Sequence, residues 1–299
     1  MRAPPMTRCP TPGRFAAPFV LVFMVATAQA QDFSRNHTAD VRGTASYAAG
    51  SARERWTGGH IAWHYNPQNQ PGNLSTSVVL SAINTAIARW SGMCKLTFTY
   101  LGLTATMPDM HSTAATFDRI NVFGWGQLTD SMAGYGAYTK WWYDSDHAML
   151  DADVMINTAY HWTAQNVESI MTHELGHVLG LSHSNDQASV MFANPYNSYE
   201  YQRTLRGDDA NACARLYGAS ANAESNRALN WAEQAFPQLL SPSPAPSGLY
   251  DGYHYRYYSA TRTYVGSKNG SAYLMGGDGV IRHQGALADF SEAVHAAGF

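Results

Sequence analysis

From Trp56 to Asn66 apolar and polar residues alternate, with Ile61, Trp63 and Tyr65 on one side, the period of a strand with one buried face. Between Ser75 and Trp90 the interval changes. Val79, Leu80, Ile83, Ile87 and Trp90 recur at helical spacing, and Ser75 or Thr76 can cap the start. Further strands are expected at Leu96–Leu101, Arg119–Phe123, Gly134–Trp142 and Asp153–Asn157. A helix then includes Ser169–Thr172, with Asn166 as its cap. Ala219–Phe236 carries Leu229, Ala232 and Phe236 on one face and predicts a short helix. Pro237–Gly248 contains Ser-Pro-Ser-Pro-Ala-Pro-Ser and reads as a semi-stiff linker. Beyond it Tyr253, Tyr255 and Tyr257 alternate. Thr263–Val265, Ala272–Met275 and Val280–Ile281 are short strands, Asn269-Gly270 is a hairpin turn, and Leu287–Ala296 a terminal helix. Leu249–Phe299 is therefore expected to be a small β-rich module of its own.

The chemistry lies in Thr172-His173-Glu174-Leu175-Gly176-His177-Val178-Leu179-Gly180-Leu181-Ser182-His183-Ser184. His173 and His177 are four apart, which puts them on one helix face, about 5–6 Å between Cβ atoms. Two imidazoles that close can share one zinc ion. Glu174 sits beside the first ligand and can reach a water on the metal without binding it. Gly180 can leave the helical region at little cost and turn the chain, which would return His183 to the same ion. Three protein ligands leave a fourth position for water, the plan of a catalytic zinc site. Met191 follows within Ala188-Ser189-Val190-Met191.

The pattern His-Glu-x-x-His-x-x-Gly-x-x-His with a downstream methionine turn resembles the metzincin zinc peptidases, and Ser184 after the third histidine resembles their matrixin branch. Arg206–Gly218, with Asp208-Asp209 near its start and Leu216-Tyr217-Gly218 at its end, is similar to the last helix of a matrixin catalytic domain. The resemblance covers residues 55–218. It implies an α+β catalytic domain: a twisted, mostly parallel sheet with one edge strand, an active-site helix and a C-terminal helix. It also implies that Met191 supports the metal by packing, and that an extended peptide pairs antiparallel with the edge strand, near Ser131–Tyr138. Pro195 and Tyr196 fall where matrixins shape a pocket wall. The second, structural zinc of vertebrate matrixins is not expected, because Gly134–Tyr138 holds no histidine and His111 and His147 are isolated. Asp144, Asp146, Asp151 and Asp153 read either as a solvated turn or as oxygen ligands for calcium.

Residues 1–30 have the form of a secretory signal peptide: Arg2, Arg8 and Arg14, an apolar run from Phe15 to Thr27, then Ala28-Gln29-Ala30. The run is too short to span a membrane. Its removal takes three arginines from a chain of formal charge −3 and leaves a mildly acidic one, so nucleic acid is not an expected partner. Residues 31–54 read as a polar arm or short propeptide. Cys94 and Cys213 are the cysteines left after processing, either joined by a disulfide or buried as separate thiols. Residues 219–248 form the helix and linker, and 249–299 the module, whose tyrosines are either its core or a face for a surface polymer. The resulting expectation is a secreted zinc endopeptidase, extracellular, periplasmic or at the cell surface, acting on protein or peptide through a zinc-bound water activated by Glu174. Two alternatives are a surface- or wall-binding protein with an inactive catalytic domain, and a zinc amidase.

Overall fold

The computed structural model describes residues 54–112, 116–193, 203–235, 247–250, 253–258, 262–268 and 271–286. The signal peptide, most of the N-terminal arm, Pro195, Tyr196, most of the linker and the terminal helix lie outside the described residues.

Among the described residues come first β1 (His60–Asn66), α1 (Thr76–Met93), β2 (Thr97–Leu103), β3 (Val122–Gly126), β4 (Ala137–Tyr143) and β5 (Met149–Asn157). The sheet order is β2-β1-β3-β5-β4. β2, β1, β3 and β5 run parallel, and β4 pairs antiparallel with β5 at one edge. Then come α2 (Ala164–Val178), α3 (Gly207–Tyr217) and α4 (Ala223–Ala235). The last five strands form a second, antiparallel sheet in sequential order: β6 (Ser247–Tyr250), β7 (Tyr253–Tyr258), β8 (Thr263–Lys268), β9 (Ser271–Gly276) and β10 (Ile281–Ala286). The fold class is α+β, with a mostly parallel sheet and a further antiparallel sheet near the C-terminus.

Several boundaries move from their expected places. β1 starts at His60 rather than Trp56, because Thr57–Gly59 is a 3-10 turn with Gly58 and Gly59 at φ 72° and 70°. A Cβ on Gly59 would lie 2.5 Å from the Lys95 carbonyl oxygen, so only glycine fits there. The edge strand starts at Ala137, not near Ser131, since Asp130–Met132 is another 3-10 turn. β5 begins four residues earlier than its alternation suggested, at Met149. Ser75 Oγ caps α1 by accepting from Val78 N at 3.3 Å. The cap of α2 is Thr163, not Asn166: Thr163 Oγ1 accepts from Asn166 N at 3.2 Å.

α1 and α2 lie against each other, α1 burying one face and α2 nearly its whole surface. From α1 come Val79, Ala82, Ile83, Ala86, Trp90 and Met93. All of α2 from Val167 to Val178 is buried. Trp63, Trp90, Trp125 and Trp162 are among the largest fully buried side chains. Trp90 Nε1 donates to the Thr172 carbonyl at 2.8 Å and Trp56 Nε1 to that of Val178 at 2.7 Å, so the polar atoms of these rings are satisfied as burial requires. Cys94, at the end of α1, and Cys213, in α3, form a disulfide across 119 positions. No helix among the described residues is long and apolar enough to cross a membrane.

Candidate metal centre

α2 carries His173, Glu174 and His177 and then ends in a hydrogen-bonded reversal. Gly180 N donates to His177 O at 2.8 Å and Leu181 N to Gly176 O at 2.9 Å, with Gly180 in the left-handed region at φ 86°. These are the two bonds of a Schellman cap, which needs that conformation at its glycine. A Cβ there would also stand 2.1 Å from Glu54 O. The reversal brings His183 back over the helix. The ligand atoms of His173, His177 and His183 all lie within 4.8 Å of one another, and among the described residues this is the group able to hold a metal ion.

Each helical imidazole is fixed by a carbonyl. His173 Nδ1 lies 2.5 Å from Val190 O and His177 Nδ1 2.7 Å from Leu181 O. Donation from Nδ1 puts the lone pair on Nε2, the arrangement a metal-binding histidine needs. Two nitrogens bound tetrahedrally to one zinc stand about 3.3 Å apart. His177 Nε2 and His183 Nε2 stand 3.2 Å apart. Burial first, then the neighbouring His183, pushes His173 down to about 3 and His177 well below the usual histidine range. Both are therefore neutral, as ligands must be. The donor set fits zinc.

Glu174 is fully buried. Its Oε2 accepts from Thr139 Oγ1 of β4 at 2.5 Å, and its Oε1 has no hydrogen-bond partner among the described residues. Burial pushes this carboxyl up to about 8, with the Thr139 bond working against it. Trp141, also of β4, stacks on His177 at 5.9 Å and 11°.

Behind the histidines, Met191 packs directly on α2: a Cβ on Gly176 would lie 2.1 Å from its Sδ. The turn that holds Met191 is fastened by Asp209 of α3, which accepts from Val190 N at 3.1 Å, Met191 N at 3.3 Å and Ser189 Oγ. Asp208 accepts from Ser184 Oγ at 2.5 Å. Thr139, Trp141 and Ser189 carry no local signal in the sequence, and Asp209 shows there only as part of the Asp208-Asp209 helix signature.

Of the four acidic side chains that the sequence offers to calcium, those of Asp144, Asp151 and Asp153 accept hydrogen bonds from the chain itself. Asp144 Oδ1 closes a turn by accepting from Asp146 N and Ala148 N at 2.9 Å. Asp151 and Asp153 are buried in β5 and accept from the amides of Arg119, Val122 and Asp109.

A sequence model of the family described as Matrixin, Peptidase_M10, matches residues 55–218. Interstitial collagenase B of Mus musculus is 32% identical over 185 residues, 60% of this chain and 36% of that protein. Interstitial collagenase of Oryctolagus cuniculus is 30% identical over 179 residues, 56% of this chain and 34% of the other. Metalloendoproteinase 2-MMP of Arabidopsis thaliana is 28% identical over 202 residues, 64% of this chain and 49% of the other. The chain thus spans between a third and a half of the length of these relatives.

Proposed function

The chain belongs to the matrixin family, and on that premise we propose that it is an exported zinc-dependent endopeptidase. His173, His177 and His183 would hold one zinc ion, with Glu174 as general base and then general acid. The observation that carries this reading is the convergence of three histidines, two of them held neutral by burial, beside a buried glutamate with one oxygen unpartnered among the described residues.

Held by the three imidazoles, zinc would polarise a peptide carbonyl and make a nearby water more acidic. The rest is done by the chain. Thr139 fixes Oε2 of Glu174, so Oε1 is the atom that takes the proton from the attacking water. The same carboxyl then hands that proton to the departing amine, and no covalent acyl-enzyme is needed. Met191 and the turn held by Asp209 keep the imidazoles in place by packing and through Val190 O. An extended substrate would lie along β4, since main-chain pairing to an edge strand is indifferent to sequence. The Cys94–Cys213 disulfide suits an oxidising compartment outside the cytoplasm.

The test is cleavage of denatured casein by the chain without residues 1–30, with zinc per chain measured on the same sample. Near one zinc, and cleavage that disappears in Glu174→Ala and under a chelator, is the expected result. Zinc without cleavage of any unfolded protein would sink the peptidase reading and favour a surface-binding protein with an inactive catalytic domain. Folded protein that binds no zinc would remove the metal assignment itself.

A further inference from the structure

Five charged side chains meet in the interior behind α2. Arg89 of α1 donates through Nε and Nη2 to Glu168 Oε1 at 3.1 and 2.8 Å, and through Nη1 to Glu233 Oε2 at 2.7 Å. Arg203 donates to Glu168 Oε2 at 2.8 Å. Arg256 Nη1 of β7 lies 3.0 Å from Glu233 Oε1. The exposure of these side chains runs from 0% to 4%. Charges buried this deeply are tolerated only when each is paired and hydrogen-bonded. Burial alone would raise the Glu233 carboxyl; Arg89 and Arg256, with Tyr258 and Thr204, outweigh it and hold it well below the usual carboxylate range.

The two oxygens of Glu233 face different parts of the molecule. Oε2 takes Arg89 Nη1 and Thr204 Oγ1, the latter at 2.7 Å. Oε1 faces β7: Arg256 Nη1 forms an ion pair with it at 3.0 Å, and Tyr258 Oη donates to it at 2.5 Å. Arg256 Nη1 also donates to Asn230 Oδ1 at 2.7 Å, and Asn230 Nδ2 donates to the Leu205 carbonyl at 3.3 Å. The antiparallel sheet therefore reaches the peptidase core by two routes. One runs Glu233–Arg89–Glu168 into α2. The other runs through Thr204 and Leu205 to the start of α3, whose Asp209 fastens the turn under the histidines. Glu168 precedes His173 by five residues, which places it about 140° around the helix from that ligand and about 7.5 Å along the axis. Through it, Arg89 and Arg203 hold α2 from behind.

We propose that Glu233, Arg256 and Tyr258 are positioning residues for the metal centre, so that the C-terminal sheet acts as a brace on the catalytic helix. The proposal deepens the peptidase reading, and it rests on that reading for its kinetic readout alone. Removing either β7 partner leaves Glu233 Oε1 with its charge or its hydrogen-bonding capacity under-satisfied in the interior. The carboxylate must then turn or draw in water, and Arg89 and Glu168 follow.

The experiment uses the whole chain with Arg256→Met, Arg256→Lys, Tyr258→Phe and Glu233→Gln. Amide exchange is followed over residues 164–178, and the visible spectrum and affinity of cobalt(II) report the imidazole geometry without reference to activity. The expected result is exchange in α2 faster by at least about tenfold, with cobalt affinity weakened by a similar factor and its spectrum shifted. Arg256→Lys should lie between Arg256→Met and the parent. Tyr258→Phe removes one hydroxyl and keeps the ring, so it still reports if Arg256→Met fails to fold. Faster exchange confined to α4, β7 and β8, with α2 and the cobalt spectrum unchanged, would overturn the proposal. A parent chain that cleaves nothing but whose α2 responds in this way would sink the peptidase reading and leave the brace standing.

Discussion

Thr139 Oγ1 on the edge strand donates to Glu174 Oε2 on α2 at 2.5 Å, so the strand proposed to bind substrate also orients the proposed base. Thr139→Val deletes the donor and keeps the bulk. The expected loss in kcat is about ten- to hundredfold, matching the roughly 1.5–3 kcal/mol typical of a hydrogen bond to a charged group. Zinc content should stay unchanged, and Thr139→Ser should keep most of the activity. Steady-state cleavage of a short peptide with metal analysis on the same samples checks this. Equal activity in Thr139→Val would show that Glu174 is oriented by other means.

Gly176 lies between the two helical histidines, and its missing side chain is where Met191 packs. Gly176→Ala would ordinarily favour a helix, by about 1 kcal/mol. Here its Cβ would meet Met191 Sδ at 2.1 Å, an overlap that a buried thioether must relieve by moving. We expect a net loss of about 1–3 kcal/mol and weaker zinc binding, because Val190 O would move with the turn. Thermal unfolding with and without zinc separates the two effects. A variant more stable than the parent would refute the packing argument.

The disulfide between Cys94 and Cys213 closes a loop across 119 positions. In the chain-entropy account a loop this long is worth about 4–5 kcal/mol, an upper figure. The paired change Cys94→Ser and Cys213→Ser should lower the urea midpoint accordingly, and reductant should do the same to the parent but not to the double variant. Reductant that leaves the parent midpoint where it was would contradict this.

Asp151 is buried, and its Oδ1 has no partner among the described residues. Burial pushes its carboxyl up to about 6, against the bond from Arg119 N. A carboxyl whose folded pKa is raised stabilises the fold below its unfolded pKa, near 4. That contribution is lost as pH rises through the folded value. Stability should therefore fall between about pH 4 and pH 6 by an amount on the order of 2 kcal/mol. Asp151→Asn should flatten that slope and raise stability at neutral pH. Denaturant midpoints measured in steps from pH 4 to pH 7 decide it; an unchanged slope in the variant would place the effect elsewhere.

The α+β class was legible because its signals are local. The alternation of Ile61, Trp63 and Tyr65 and the helical interval from Val79 to Trp90 each lie within a dozen residues. The histidine spacing is local as well, and Gly180 marks the reversal by its conformational freedom. What was not legible is what depends on distant pairing. Thr139 is one threonine in a strand, 35 positions before the glutamate it meets. Glu168 and Glu233 look like the solvated face of their helices until Arg89, Arg203 and Arg256 are brought against them from elsewhere in the chain. Strand ends were displaced wherever backbone geometry intervened, as at Gly58 and Gly59. The cap of α2 was placed three residues late because Asn166 is as good a capping residue type as Thr163.

β4 must leave its outer backbone open if a peptide is to pair with it, and an open edge is equally available to the β4 of another copy. Two features of this edge limit that. Lys140 points inward, 7% exposed, with Nζ donating to Met110 O and Ser112 O at 2.9 and 2.6 Å. Its pairing with β5 is irregular at Trp142 and Tyr143, where β5 carries the extra residue Leu150, and this interrupts the flat edge that a second copy would pair with. A buried lysine and a bulge are known deterrents to edge-to-edge association. The same strand is thus suited to a short, transient visitor and poorly suited to becoming the seed of a fibre.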